Sequence, residues 1–116
     1  MVIQERSQQG CCILEGSGRM DFKARHAFQV AMKTAQTSGA AHIVFDLKEV
    51  SFIDSAGLAL LVLANRGCEE RNVRFSLCQP QNPVKDVLEL TNMGKHFPIS
   101  ESLETALLFT HQPLIR

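Results

Sequence analysis

The apolar and polar positions along the chain predict a β-hairpin followed by alternating helices and strands. Two β-rich stretches, residues 2–6 and 11–15, flank four polar or glycine residues that are typical of a hairpin turn. Residues 16–20 separate the second strand from a stretch with apolar positions at helical spacing. That stretch begins at Asp21, a good N-cap, and Gly39 is a natural stop for the helix.

The rest of the chain predicts three further pairs of a strand and a helix. Residues 42–47 contain few polar positions, which is typical of a central strand covered on both faces. Residues 48–53 then lead to a second helix, which opens at Asp54 and continues to about Glu70. The last expected elements are a strand at 73–78, a helix at 84–90 capped by Asn82, an edge strand at 97–99, and a helix at 101–109 capped by Ser100.

This order of elements predicts an α/β fold. The sequence β-β-α-β-α-β-α-β-α requires a mixed sheet, here of about five strands, with four helices packed on it. A chain of 116 residues has the length of one domain. We expect that domain at residues 1–110, with residues 111–116 as a loosely held tail.

Composition and charge exclude several function classes. Twelve basic residues balance twelve acidic ones, so no net field favours nucleic acid. Charges precede any apolar stretch near the start, and the longest apolar run, residues 56–64, is too short to cross a bilayer. We therefore expect a cytoplasmic protein without a signal peptide or membrane span.

Neither a metal site nor a catalytic site is indicated by the sequence. The four cysteines show no Cys-x-x-Cys spacing and are expected to be reduced, and the four histidines are scattered. The chain contains no dinucleotide-binding, phosphate-loop or nucleophile-elbow motif. We expect no cofactor and no enzymatic activity, although an α/β enzyme that binds substrate at the strand ends is the first alternative considered.

Ser55 lies where a buried strand gives way to a helix, and this junction is the candidate functional site. Backbone N–H groups and the positive end of the helix dipole favour an anion there, and Gly57 adds no side chain over the spot. A phosphate on Ser55 would add about −1.5 to −2 charges. The local sequence alone favours a simpler interpretation, in which Asp54 or Ser55 is a helix cap worth about 1 kcal/mol.

Residues 45–58 resemble the signature of STAS domains, particularly those of bacterial anti-sigma factor antagonists. The resemblance rests on Asp46-Leu47, Val50, Phe52-Ile53, Asp54-Ser55 and Gly57-Leu58, at the family's spacing. Further matches are Gly18-Arg19-Met20-Asp21, residues 84–93, and Phe97-Pro98-Ile99 with Leu103 and Ala106. The similarity thus extends from about residue 11 to residue 107.

The resemblance implies a phosphorylation-controlled binding switch. Ser55 matches the serine that an anti-sigma factor with serine kinase activity phosphorylates and a serine phosphatase restores. The unmodified antagonist binds the anti-sigma factor and the phosphorylated one releases it. Asp21, Asp46 and Asp54 match neighbouring acids that shape the kinase contact. The expected partner-binding residues are Asp21, Asp54, Ser55, Ala56, Gly57, Leu58 and Leu60.

Two questions stay open at the level of sequence. The second helix is apolar on all sides in its first two turns, so it is either buried on two sides or offers its outer side to a partner. The rival function is a STAS scaffold that is not phosphorylated, within a lipid-transport or stress-signalling complex. Self-association is also possible.

Overall fold

The computed structural model describes residues 1–110, and in this range five strands form one mixed sheet. The strands are β1 (Val2–Gln8), β2 (Cys11–Met20), β3 (His42–Ile53), β4 (Arg74–Cys78) and β5 (Ile99–Ser100). They are hydrogen-bonded in chain order, with β1 antiparallel to β2 and all later pairs parallel. The predicted mixed five-stranded sheet is confirmed.

Four α-helices connect or follow the parallel strands in the described part of the chain. They are α1 (Arg25–Gln36), α2 (Ser55–Glu70), α3 (Asn82–Leu90) and α4 (Leu103–Leu107), with short 3-10 turns at Phe22–Ala24 and Met93–Lys95. The order of elements is the predicted one. None of these helices is long and apolar enough to span a membrane. The tail predicted at 111–116 lies outside the described residues.

Strands β2 and β3 are longer than their apolar cores predicted. Residues 16–20 and 48–53 continue the two strands and pair with each other as far as Met20 and Ile53, with two register shifts along the way. Gly16 is packed beneath a ring, because a Cβ there would lie 2.7 Å from Cζ of Phe45. Pairing with a distant strand, rather than local propensity, extends both elements.

Three helix caps also differ from the predictions. Asp21 caps the 3-10 turn rather than α1, since its Oδ1 accepts the N–H of Lys23 at 3.0 Å. Helix α3 begins at Asn82 with Gln81 in the N-cap position, and α4 is capped by Ser102. The predicted cap Ser100 was wrong, because it pairs in the short edge strand instead.

Two apolar clusters lie in contact with the sheet. The larger packs α1, α2 and α3 on it and includes an edge-to-face pair of Phe28 and Phe45, with ring centroids 5.1 Å apart. The smaller joins Ile13 and Val44 to α4. Burial of α2 in the larger cluster positions its first turn at the ends of β2 and β3.

Candidate functional site at the start of helix α2

Asp54, rather than Ser55, caps helix α2. The backbone of Asp54 is extended, and its Oδ1 accepts the N–H of Gly57 at 3.1 Å. Ser55 is exposed, and within residues 1–110 its hydroxyl makes no hydrogen bond. The two interpretations left open by the local sequence are thereby separated: the capping role belongs to Asp54, and the hydroxyl of Ser55 is available.

Gly57 has a packing role that the sequence did not indicate. Gly57 is buried, and a Cβ added to it would collide with the carbonyl oxygen of Met20 and lie 2.8 Å from Cγ1 of Ile53. The same carbonyl accepts the N–H of Asp54 at 3.4 Å. The missing side chain therefore lets α2 begin directly against the end of β2, instead of only leaving space above Ser55.

Two of the predicted acidic residues lie at this edge and the third does not. Asp21 follows Met20 and is half-buried, with its Oδ2 3.6 Å from Nε of Arg19. Asp54 lies beside the same Met20 carbonyl. Asp46 is only 3% exposed, and its carboxylate accepts the N–H of Lys48 at 2.9 Å and the side-chain amide of Gln79 at 3.2 Å. Asp46 therefore joins β3 to the residue that follows β4.

Of the residues of α2 predicted to bind a partner, Ser55 is exposed and the others are buried or half-buried. Leu58 and Leu60 are 7% and 6% exposed and belong to the core, and Ala56 is half-buried. Ser55, Ala59 and Leu63 are exposed and four residues apart, which places them in one stripe along the helix. Helical spacing gives Ala59 and Leu63 as the other members of the stripe only once Ser55 is known to be exposed.

Phe22 is another exposed apolar residue, two residues after Met20, whose carbonyl bonds to Asp54 at the start of α2. Its side chain is 69% exposed, and the 3-10 turn that carries it packs against α2. The guanidinium of Arg19 stacks on the ring of Phe52, 3.8 Å from its centroid, at the same ends of β2 and β3. Phe22 was not among the residues predicted from the sequence. The one feature that could have indicated it is its position as a large apolar residue directly after the cap Asp21.

The hydroxyl of Ser55 is exposed at this edge of the described structure. No histidine hydrogen-bonds to Ser55 in the described residues, and residues 1–110 contain no cluster of three potential metal ligands. A serine hydroxyl needs a neighbouring base or metal to act as a nucleophile at neutral pH. The arrangement presents a free hydroxyl, the start of a helix and an apolar stripe.

Comparisons with known proteins agree on one family. A family model described as STAS domain matches residues 3–106. An anti-sigma F factor antagonist from Paenibacillus polymyxa is 26% identical over 106 residues, which span 90% of this chain and 91% of that protein.

Solved structures share the fold over almost the whole chain. An anti-sigma factor antagonist from Mycobacterium paratuberculosis is 22% identical, with a TM-score of 0.85 over 96% of this chain and 94% of its own. The Bacillus cell fate determinant SpoIIAA in its phosphorylated form is also 22% identical, with a TM-score of 0.68 over 91% of this chain and 96% of its own. The resemblance noted in the sequence is confirmed.

Proposed function

The chain belongs to the STAS domain family, and we propose that it is an anti-sigma factor antagonist whose partner is released when Ser55 is phosphorylated. One observation supports this most strongly. Ser55 is exposed at one end of an exposed stripe and makes no hydrogen bond to any described residue, while its neighbour Asp54 supplies the cap. The hydroxyl is therefore free for modification at no cost to the helix.

The stripe is the proposed contact surface for the anti-sigma factor. Ala59 and Leu63 are exposed apolar residues of α2, and Phe22 is an exposed aromatic residue on the 3-10 turn that packs against α2. Aromatic and aliphatic groups of this kind act as anchors in protein interfaces. Leu58 and Leu60 support the surface from below.

Phosphorylation acts on this surface by electrostatics and desolvation. A phosphate adds about −1.5 to −2 charges close to Asp54 and Asp21, inside an interface that must exclude water. Binding weakens by several kcal/mol, which is about a hundredfold or more in Kd. The phosphoryl group comes from a serine kinase and is removed by a serine phosphatase. This role places the protein in the cytoplasm, where sigma factors act.

Calorimetric titration of purified anti-sigma factors with kinase activity, taken from the same genome, tests the proposal. Ser55→Ala should bind like the parent and resist phosphorylation, whereas Ser55→Asp should bind far more weakly. Ser7→Asp, which adds the same charge on exposed β1, is the matched control and should bind like the parent.

The result for Ser55→Asp separates this function from its rival. If Ser55→Asp binds as tightly as the parent and wild-type protein is not labelled by the kinase, a scaffold that is not phosphorylated becomes the better explanation.

A further inference from the structure

The stripe on α2 opens at its far end into a groove between α1 and α2. The groove has a volume of about 290 Å³, and Met32, Leu60 and Ala64 are among the residues lining it. Leu63 stands beside it and is 56% exposed, although it is a large apolar residue. Its exposed apolar surface is in contact with water, and a partner that covered this surface would gain free energy of binding.

The helices meet closely at one end of the groove, which makes the groove a fixed feature. A Cβ on Gly67 would lie 2.8 Å from Nε2 of Gln36. That amide donates to the carbonyl of Ala64 at 3.4 Å and lies 3.5 Å from Sγ of Cys68. Gln36 therefore ties α1 to α2.

The charged side chains that line the groove are all positive. Lys33 and Arg71 line it, both are exposed, and the lining includes no acidic residue. Within residues 1–110, neither cation forms an ion pair. Of the two acids next to Arg71 in sequence, Glu69 accepts a hydrogen bond from Asn65 and Glu70 lies outside the lining. The groove is thus complementary to an acidic group.

The groove is continuous with the proposed contact surface. Leu63 lies two helical turns and a fraction beyond Ser55, which is about 12 Å along the axis at about 1.5 Å per residue. A stable interface covers about 800 Å² on each partner. A protein docked over Ser55 therefore reaches Leu63 and the groove.

Building on the proposed function, we propose that this groove is a second anchor for the anti-sigma factor. It takes a segment of that protein with an apolar side chain against Leu63 and an acidic side chain facing Lys33 and Arg71. Phosphorylation at Ser55 acts at the opposite end of the same surface, so the groove sets affinity and Ser55 sets release.

Calorimetry with the purified anti-sigma factor that binds the parent chain tests the assignment. The double variant Lys33→Glu/Arg71→Glu, which lies in the groove and outside the stripe, should raise Kd about tenfold or more, and Leu63→Ser, which lies in both, should raise it as well. The double variant should also flatten the dependence of Kd on salt. Leu90→Ser and Lys95→Glu change exposed residues elsewhere and should bind within about twofold of the parent.

The outcomes distinguish this assignment from the proposed function. If the double variant binds within twofold of the parent while Ser55→Asp still releases the partner, the second anchor does not exist. If Ser55→Asp binds like the parent, the proposed function fails. Thermal melting checks folding, and Lys33→Gln with Arg71→Gln replaces the double reversal if that variant unfolds. Loss of the salt dependence in the neutral pair supports the anchor, and an unchanged salt dependence overturns it.

Discussion

Replacing Asp54 should destabilise the fold, whereas replacing its neighbour Ser55 should not. Asp54 accepts the N–H of Gly57 at 3.1 Å, and loss of such a cap costs about 1 kcal/mol. Its charge at the helix N-terminus contributes about 0.3 to 1 kcal/mol more. Asp54→Ala should therefore lower the free energy of unfolding by about 1.5 kcal/mol, which corresponds to about 6 °C in Tm.

Ser55→Ala should leave the stability of the fold nearly unchanged. The hydroxyl of Ser55 makes no hydrogen bond within residues 1–110. Alanine also favours a helix over serine by about 0.5 kcal/mol. Asp54→Asn keeps an oxygen acceptor without the charge and should lie between the parent and Asp54→Ala.

Urea denaturation followed by circular dichroism measures all three variants against the parent. Equal slopes with shifted midpoints would mean that only stability changed. The reasoning is refuted if Ser55→Ala destabilises the protein as much as Asp54→Ala does. In that case Ser55 would be a structural cap, and its free hydroxyl could no longer support a regulatory role.

Two further predictions concern the packing beneath the site and the opposite end of β3. Gly57→Ala should destabilise the fold by about 2 kcal/mol or more, because the added Cβ collides with the backbone of Met20. Gly94→Ala is the control, since a Cβ at Gly94 has no neighbour within 4 Å. The midpoints of urea denaturation of the two variants check this, and equal midpoints would contradict it. Burial lowers the pKa of His42 to about 4, below its ordinary 6.5. As pH falls, the unfolded chain therefore binds a proton at His42 before the folded protein does. The stability that is present above pH 6.5 is lost as pH falls towards 4. His42, which bonds to Ser76 and Thr110, contributes up to about 3 kcal/mol to this loss. His42→Gln should show a shallower decline of stability over that window, and a decline as steep as the parent's would assign the effect to other groups.

The order of the elements could be predicted because it depends on local pattern. Helical spacing and short apolar runs are properties of neighbouring residues, and so is the junction that places Ser55 at the start of a helix. The strand lengths could not be predicted in this way. Residues 16–20 contain two glycines and polar residues, and they become a strand because β1 and residues 49–53 lie on either side of them.

Tertiary packing alone decided which residues of the candidate site face solvent. In the sequence, Leu58, Leu60 and Leu63 are equivalent members of one apolar run, and the sheet and α1 bury the first two while leaving Leu63 exposed. Asp46 and Asp54 are likewise both acids near the ends of predicted elements, yet of these two only Asp54 lies at the start of α2 beside Ser55. The amino-acid sequence determined that a hydroxyl stands at a helix start. Contacts between residues far apart in the chain decided what surrounds it, because burial depends on distant elements that a local pattern does not contain.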